Sequence, residues 1–189
     1  MPEEVGQVIE EEEQRDPQEE AVRLAALAQI RQYGDPVLRM EAREVQSFDD
    51  DLRRLVDRMK RLMKDAYGVG LAGNQVGTLR RVFVFQENED ELRALVNPRI
   101  VERSDETGVE DEGCLSIQRV RVPVERSVAV TVEGKDEDGG DIRLELEGMT
   151  ARVAQHEIDH LDGTLILDRT DDESRRQALG ILRPQPVLQ

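Results

Sequence analysis

Two patterns of apolar residues, one with helical spacing and one with strand-like alternation, follow one another along the chain. Their order limits the fold more than any other feature of the sequence. Apolar residues recur at helical spacing over 52–66, which predicts an amphipathic helix that ends before Gly68. Apolar and polar residues then alternate over 127–132 and 142–147, as in a β-hairpin. A second helix is predicted over 149–161. This order of helix, antiparallel strands and helix is typical of the α+β class.

The other predicted elements are shorter. A short helix that passes into a first extended segment is expected over 20–30, and two short strands follow at 81–85 and 95–96. The polar stretch 101–113 is predicted to be a long loop, and 171–182 to be a C-terminal surface helix. We expect the antiparallel strands to pack around the central second helix, with the last helix outside them.

Charge is concentrated at the N-terminus. The chain has a net charge of -16, and residues 1–20 account for -8 of it. We expect residues 1–19 to form a disordered acidic arm, residues 20–170 one domain, and residues 171–189 a C-terminal helix and tail. So acidic a chain is a poor candidate for direct binding to nucleic acid, whose phosphates require clustered Lys and Arg.

The sequence also predicts where the protein works. No stretch approaches the roughly 18 apolar residues of a membrane span, and the acidic N-terminus lacks the pattern of a secretory signal. These observations predict a cytoplasmic protein without a membrane partner. Arg175, Arg176 and Arg183, near the C-terminus, would allow a transient ribosome contact, although a solvated helix face explains them better.

Both histidines of the chain lie in one hexapeptide, Gln155-His156-Glu157-Ile158-Asp159-His160. Four residues apart on a helix, the two rings point from the same face and can reach one metal ion. Glu157 lies about 100° around the helix from His156, so it can reach a water beside the ion without binding the ion itself. The alternative is a helix that carries two incidental histidines on a solvated face.

A catalytic site of this kind needs a third protein ligand and an open position. No histidine follows His160, and the only thiol of the chain is Cys114. Gly113 lets the backbone approach closely there, and a bound ion would hold Cys114 as a thiolate. Taken alone, Cys114 is better explained as a small buried apolar side chain, and the helix motif is what favours a ligand.

Three segments in this order resemble the signature motifs of the peptide deformylases: GVGLAGNQ at 68–75, EGCLS at 112–116 and HEIDH at 156–160. The resemblance extends over about 30–168 and implies that 20–170 is a catalytic domain. It implies a ferrous ion in the cell, replaceable by zinc, nickel or cobalt. The implied reaction is hydrolysis of the N-formyl amide of new chains that begin with formyl-methionine.

The resemblance also implies a division of the catalytic work. Cys114, His156 and His160 would hold the ion, and Glu157 would accept a proton from water and return it to the departing amine. The oxyanion would be stabilised by the ion and by two further hydrogen-bond donors, which are the backbone N–H of Leu115 and the side-chain amide of Gln75.

A further set of residues is implied for substrate binding. Backbone groups near Gly70 and Gly113 would pair with the extended substrate as an added strand. Val69 and Val153 would help to line an apolar pocket for the methionine side chain. Arg121 matches a basic residue at the mouth of the site, although a solvated charge on a strand explains it equally.

The sequence departs from the family pattern at two places. The first motif usually ends in Ala-Ala-Pro-Gln, and here Gly73 and Asn74 precede Gln75. The second motif is usually followed by Ile-Pro or Val-Pro, and here Gln118 takes the place of proline. We expect Gly73→Ala with Asn74→Pro to stabilise the fold by ~0.5–2 kcal/mol if the backbone suits both residues. The alternative is that Asn74 donates a hydrogen bond to substrate.

Two other functions fit parts of the sequence. An HExxH endopeptidase would cleave internal peptide bonds and take its third ligand from a residue other than Cys114. A non-catalytic metal-binding paralogue would recognise chain N-termini without turnover, and the altered first motif favours it. Glu157 argues against the paralogue, because a pure binding site needs no base.

Overall fold

The protein is described here by a computed structural model that covers residues 16–88 and 91–183. Its helices are α1 (Pro17–Leu27), α2 (Asp50–Asp65), α3 (Gly148–Leu161), α4 (Ile166–Arg169) and α5 (Asp172–Leu182). Its strands are β1 (Gly70–Ala72), β2 (Val82–Gln86), β3 (Leu92–Arg103), β4 (Thr107–Cys114), β5 (Ile117–Ser127), β6 (Ala129–Lys135) and β7 (Asp141–Glu147). Short 3-10 turns span Pro36–Arg39 and Gly73–Val76.

Most of the predicted acidic arm lies outside the described residues, which begin at residue 16. The first helix starts at Pro17, three residues before the predicted helix over 20–30, and it ends at Leu27. Proline suits this position because the first helical N–H has no partner within the helix. The division of the chain at residues 19 and 170 stays a prediction.

The predicted amphipathic helix is confirmed as α2. Asp49 caps it, because its carboxylate accepts a hydrogen bond from the N–H of Leu52 at 3.0 Å. Its buried residues recur at the predicted spacing: Leu52, Val56, Met59, Leu62 and Met63. The predicted hairpin is confirmed as β6 and β7, and the two other predicted helices as α3 and α5.

The predicted loop over 101–113 is wrong. Its first residues complete β3, and its last residues belong to β4. β4 pairs only with β5, so the two strands form a ribbon apart from the main sheet. Most side chains of β4 are exposed, and the strand therefore lacks the apolar alternation by which strands are recognised in sequence. The long neighbouring strand β5 was not predicted either.

The other five strands form one antiparallel sheet in the order β1-β2-β3-β6-β7. Neighbouring residues of β2 point to opposite faces, so Val82 and Val84 pack with α2, whereas Phe83 and Phe85 pack with α3. A third apolar cluster joins β5 to α4 and α5, and Ala178 of α5 belongs to it. The predicted α+β class with a central helix α3 is confirmed. None of the described helices has the length and apolar character needed to cross a bilayer.

A methyl group does not fit at Gly73. A Cβ there would lie 2.6 Å from the carbonyl oxygen of Arg80 and 3.3 Å from that of Thr78. The condition for the stabilisation predicted from sequence, a backbone with room for alanine, is therefore not met. We expect Gly73→Ala to destabilise the fold by ~1–3 kcal/mol through overpacking. Thermal melts measure this, with Gly108→Ala as the matched control, because its Cβ would meet only Val128, at 3.7 Å. Equal melting temperatures for both variants would contradict it.

Candidate metal centre

The three predicted ligands lie together. α3 holds His156 and His160 one turn apart with ring centroids separated by 4.9 Å, and Cys114 lies at the end of β4. One donor atom from each residue lies within 4.8 Å of the others. The sulfur of Cys114 lies 3.2 Å from Nε2 of His160. Within residues 16–88 and 91–183, this is the only cluster of three or more such side chains arranged to hold an ion.

Two N–H groups point at the sulfur of Cys114. The backbone N–H of Ser116 points at Sγ of Cys114 from 3.4 Å, and Nε2 of Gln75 from 3.6 Å. Gln75 is oriented for this by two further hydrogen bonds. Its Oε1 accepts from the N–H of Ala72 at 2.8 Å, and its Nε2 donates to the hydroxyl of Ser116 at 3.1 Å. Donors aimed at sulfur stabilise its negative charge, which is the form that binds metal.

Glu112 orients the first histidine. Its carboxylate contacts Nδ1 of His156 at 3.0 Å, which leaves Nε2 of that ring for an ion. Arg126 donates to Glu112 through Nε and Nη2, both at 2.9 Å, and Arg152 donates through Nη1 at 2.8 Å. Asp159 joins the network by accepting from Nη1 of Arg126 at 2.5 Å. These buried charges fix the position of His156 relative to β4 and β5.

Burial and neighbouring charges together set the ionisation of these groups. Burial opposes ionisation of Glu112, but hydrogen bonds from Arg126 and His156 outweigh it and hold the Glu112 pKa well below its usual range. Burial lowers the pKa of His160 and keeps this imidazole neutral, as a metal ligand must be. Burial also acts to lower the pKa of His156, but Cys114 and Glu112 raise it. Their negative charge favours a cation at this position.

We expect Glu112→Gln to weaken metal binding by ~10–100-fold, as is typical when a residue that orients a ligand is lost. The amide keeps the shape of the side chain but removes the charge that holds His156 and both arginines. Competition with a chelator measures the affinity. Asp111→Asn is the matched control, because it removes one charge from the exposed neighbouring position. Unchanged affinity in Glu112→Gln would contradict a role for Glu112 in placing the ligand.

Glu157 faces the same cleft from α3. It is 3% exposed, and its Oε2 is buried without a hydrogen-bond partner in the described part of the chain. The space beside it exists because residue 70 is glycine. A Cβ at Gly70 would collide with Oε1 of Glu157 and lie 2.9 Å from Cγ1 of Val153. Burial raises the pKa of Glu157 to about 7, a range in which a carboxyl group exchanges protons readily at neutral pH.

A cleft of about 480 Å³ opens in front of these groups. It is lined by the catalytic and substrate-binding residues expected from sequence: Val69, Gly70, Gln75, Gly113, Leu115, Arg121, Val153 and Glu157. β1 forms one wall and is an edge strand of the main sheet, and β4 forms the opposite wall. Edge strands offer unpaired N–H and C=O groups to an extended peptide. Arg121 lies at the rim, where its Nη2 donates to the carbonyl of Asp111 at 2.9 Å.

The two departures from the family pattern have structural explanations. Asn74 is fully buried and donates through Nδ2 to the carbonyl of Met40 at 2.5 Å, so it ties its turn to the preceding segment. It is not among the described residues that line the cleft, and the expected alternative that it contacts substrate has no geometric support. Gln118 donates through Nε2 to the carbonyl of Leu115 at 2.5 Å. That bond braces the turn after Cys114, where the family usually has proline.

Sequence reasoning missed the charged network behind the histidines. Arg152 lies four residues before His156 on α3, and this spacing places both side chains on one helix face. The spacing can be recognised in the sequence. Glu112 and Arg126 carry no such signal, because their contacts join β4, β5 and α3 across 14 to 44 residues of chain.

An HExxH helix, a cysteine sulfur beside its two histidines and a buried glutamate in one cleft of an α+β domain are typical of a metal-dependent hydrolase. The polypeptide deformylase family model matches residues 27–176. Peptide deformylase 1 of Corynebacterium glutamicum is 45% identical over 161 residues, which is 84% of this chain and 95% of that protein. The chain belongs to the polypeptide deformylase family, whose enzymes remove the N-formyl group from new polypeptides.

Solved structures agree with this assignment. A peptide deformylase from Thermotoga maritima is 45% identical, with a TM-score of 0.73 over 75% of this chain and 96% of that one. A peptide deformylase from Synechococcus elongatus, solved in complex with actinonin, is 37% identical. It aligns with a TM-score of 0.78 over 81% of this chain and 86% of that one. The chain therefore shares its fold with both of these peptide deformylases over most of its length.

Proposed function

We propose that this cleft hydrolyses the N-formyl amide of formyl-methionyl chains with Glu157 as the proton carrier and Gln75 and Leu115 as hydrogen-bond donors. The observation that carries the proposal is the convergence of a buried carboxylate and three metal-ligand atoms on one cleft between two strand edges. Both products, formate and a free amine, follow from attack of water on the formyl carbon.

Cys114, His156 and His160 would hold one divalent ion. Their donor set fits such an ion, because the sulfur receives two N–H donors and Glu112 fixes the ring of His156. When bound, a divalent ion supplies Lewis acidity and brings the deprotonation of water to near neutral pH. We propose Fe²⁺ in the cell. Zn²⁺, Ni²⁺ and Co²⁺ suit the same ligands, and availability decides between them.

Glu157 would accept the proton of the attacking water and return it to the departing amine. A buried carboxylate with one oxygen free of protein partners in the described structure is suited to this shuttle. Gly70 keeps the space beside the carboxylate open, so the formyl carbon can approach it. A formyl group carries only hydrogen on its carbonyl carbon, and it therefore fits where a larger acyl group does not.

Gln75 and Leu115 would stabilise the negative oxygen that forms as the formyl carbon becomes tetrahedral. Nε2 of Gln75 is directed toward the ligand cluster by the bond from Ala72 N–H to its Oε1. Leu115 sits in the turn next to Cys114, and its carbonyl is held by Gln32 at 3.1 Å and by Gln118. Donors that are fixed before the reaction need no reorganisation as charge develops.

We expect Gln75→Leu to lower kcat by ~100-fold or more, as is typical for the loss of one oxyanion donor. Leucine has a similar volume and removes the amide. The control is Ser116→Ala, which removes the other partner of Nε2 but leaves the amide in place. Steady-state kinetics on a formyl-Met peptide measures both. A drop of less than tenfold in Gln75→Leu would mean that this amide serves another purpose.

Substrate would enter as an added strand between Gly70 and Gly113. Val69 and Val153 would line the methionine pocket, and Arg121 would contact the chain at the rim. Val69 is half exposed, whereas Val153 is buried, so the pocket would be apolar inside and open toward solvent. Such a pocket suits a substrate whose first residue is always methionine and whose later residues vary.

The natural partners would be nascent formyl-methionyl chains in the cytoplasm, without direct contact to nucleic acid. Contacts within the chain weaken the case for a transient ribosome contact through α5. Arg175 donates to the carbonyl of Leu167 at 2.5 Å, and Arg176 pairs with Glu173. Two of the three arginines expected to allow docking are thus engaged within the chain.

One experiment tests the proposed function. Anaerobically purified protein is incubated with formyl-Met-Ala-Ser and, separately, with a peptide that offers only internal bonds. Free amine and formate are then measured together. We expect equal amounts of both from the formyl peptide and no cleavage of the second. Internal cleavage would favour the endopeptidase, and binding without release of formate would favour the non-catalytic paralogue.

A further inference from the structure

The peptide group between Leu115 and Ser116 makes hydrogen bonds in two opposite directions. Its N–H, which belongs to Ser116, points at Sγ of Cys114 from 3.4 Å. Its carbonyl, which belongs to Leu115, accepts from Nε2 of Gln118 at 2.5 Å and from Nε2 of Gln32 at 3.1 Å. One planar, conjugated group therefore connects two side-chain amides to the sulfur of the ligand cluster.

Hydrogen bonds at the two ends of a peptide group strengthen one another. A donor at the carbonyl oxygen draws electron density out of the C–N bond and leaves the N–H more positive. The N–H of Ser116 then donates more strongly to the sulfur of Cys114. Each added bond strengthens its neighbour by ~10–30%, and two amides act on this one carbonyl.

The two glutamines differ in how firmly they are held. Nε2 of Gln32 also donates to the carbonyl of Ile30 at 3.1 Å, and the N–H of the next residue, Tyr33, donates to the carbonyl of Ser116 at 2.8 Å. The side chain of Gln32 is nevertheless exposed, whereas that of Gln118, at the start of β5, is partly buried. Water competes less with a buried bond, so Gln118 should have the larger effect.

Gln118 takes the place of the proline that the family motif usually has here. Proline limits the backbone of the turn by fixing its own φ angle, but it has no side-chain donor. Glutamine gives up that constraint and adds a hydrogen bond to the Leu115 carbonyl. The departure from the family pattern therefore changes the electronic state of the turn as well as its rigidity.

We propose that Gln118 and Gln32 are positioning residues that act on the bound ion through Cys114. A stronger N–H donor at the sulfur reduces the electron density that a thiolate gives to the ion, and the ion is then a stronger Lewis acid. The proposal rests on the metal centre proposed above. It adds that the donor strength of the sulfur is set by two amides that do not touch the ion.

The absorption of the full-length protein loaded with Co²⁺ tests the proposal. The charge-transfer band moves an electron from sulfur to Co²⁺, so a less strongly hydrogen-bonded sulfur absorbs at longer wavelength. We expect Gln118→Met to shift the band to longer wavelength, Gln32→Met to shift it less, and the double variant to shift it most. Co²⁺ affinity should fall by less than ~5-fold in each single variant, since only a fraction of one hydrogen bond is lost.

The variant Gln118→Pro separates the electronic effect from rigidity. Proline removes the donor but keeps the backbone of the turn constrained. If Gln118 polarises the peptide group, the proline and methionine variants should shift the band equally, and kcat on a formyl-Met peptide should fall in both. A proline variant that keeps the band of the unmodified protein would show that Gln118 only braces the turn. Melting temperatures verify that each variant is folded.

Gln29→Met is the matched control. Nε2 of Gln29 donates to the carbonyl of Ala25 at 3.4 Å, and Gln29 is not among the described residues that line the cleft. Its replacement should leave the band where it is. An equal shift in this control, or an unchanged band in Gln118→Met, would overturn the inference alone. Absence of the charge-transfer band in the unmodified protein would overturn the proposed metal centre, and this inference with it.

Discussion

Replacing Glu157 by glutamine is expected to lower kcat by ~10³-fold or more while the protein keeps its metal, because proton transfer by a positioned side chain contributes ~10²–10⁴-fold. Glutamine has nearly the same volume and fits the space that Gly70 leaves open, but it cannot accept a proton. Metal content is measured by elemental analysis, and kcat with formyl-Met-Ala-Ser in the same preparation.

The control for this variant is Glu145→Gln. Glu145 is an exposed acid of β7, and it is not among the described residues that line the cleft. Its replacement should change kcat by less than twofold, since a surface charge of this kind interacts weakly with the site. Appreciable turnover by a metal-replete Glu157→Gln protein would remove Glu157 from the mechanism. Loss of metal in that variant would instead make Glu157 a part of the metal site.

The parts of the fold that sequence could predict are those whose signal is local. α2 has an apolar stripe, a capping Asp49 and a stop signal within 20 residues, and the structure contains each of them. The hairpin of β6 and β7 has alternation on both sides of a glycine-rich turn. The sequence of β4 alone does not show that this segment is a strand of the ribbon formed by β4 and β5. Its side chains are mostly exposed, and its order comes from pairing with a strand up to 20 residues away.

The candidate site divides in the same way. His156 and His160 are paired by helical spacing alone, and Cys114 could be selected because the chain has no other thiol. The role of Glu112 required the structure, since it depends on four N–H groups that come from three different side chains. The expected stabilisation by alanine at Gly73 failed for the same reason, because it depends on a contact outside the motif. The space for a methyl group there is set by the carbonyl of Arg80, which belongs to the next segment.

Replacing Cys114 by serine is expected to cost more metal affinity than the ~10–100-fold typical of losing a residue that only orients a ligand. A neutral hydroxyl takes the place of a thiolate, and two imidazoles alone hold a divalent ion weakly. Co²⁺ is a suitable probe, because sulfur bound to Co²⁺ gives a charge-transfer absorption in the near ultraviolet. The chain has a single cysteine, so this absorption reports on Cys114 and on no other residue.

Cys114→Ala separates the loss of the thiolate from the effect of the new hydroxyl. Both variants remove the charge that attracts the donors of Ser116 and Gln75, and both should lose the absorption and bind Co²⁺ with similarly reduced affinity. Melts of the metal-free proteins should agree within a few degrees, since Cys114 is only partly buried and small. Stoichiometric binding with unchanged affinity in Cys114→Ser would show that the third ligand lies elsewhere. That result would favour the HExxH endopeptidase interpretation, which requires a third ligand other than Cys114.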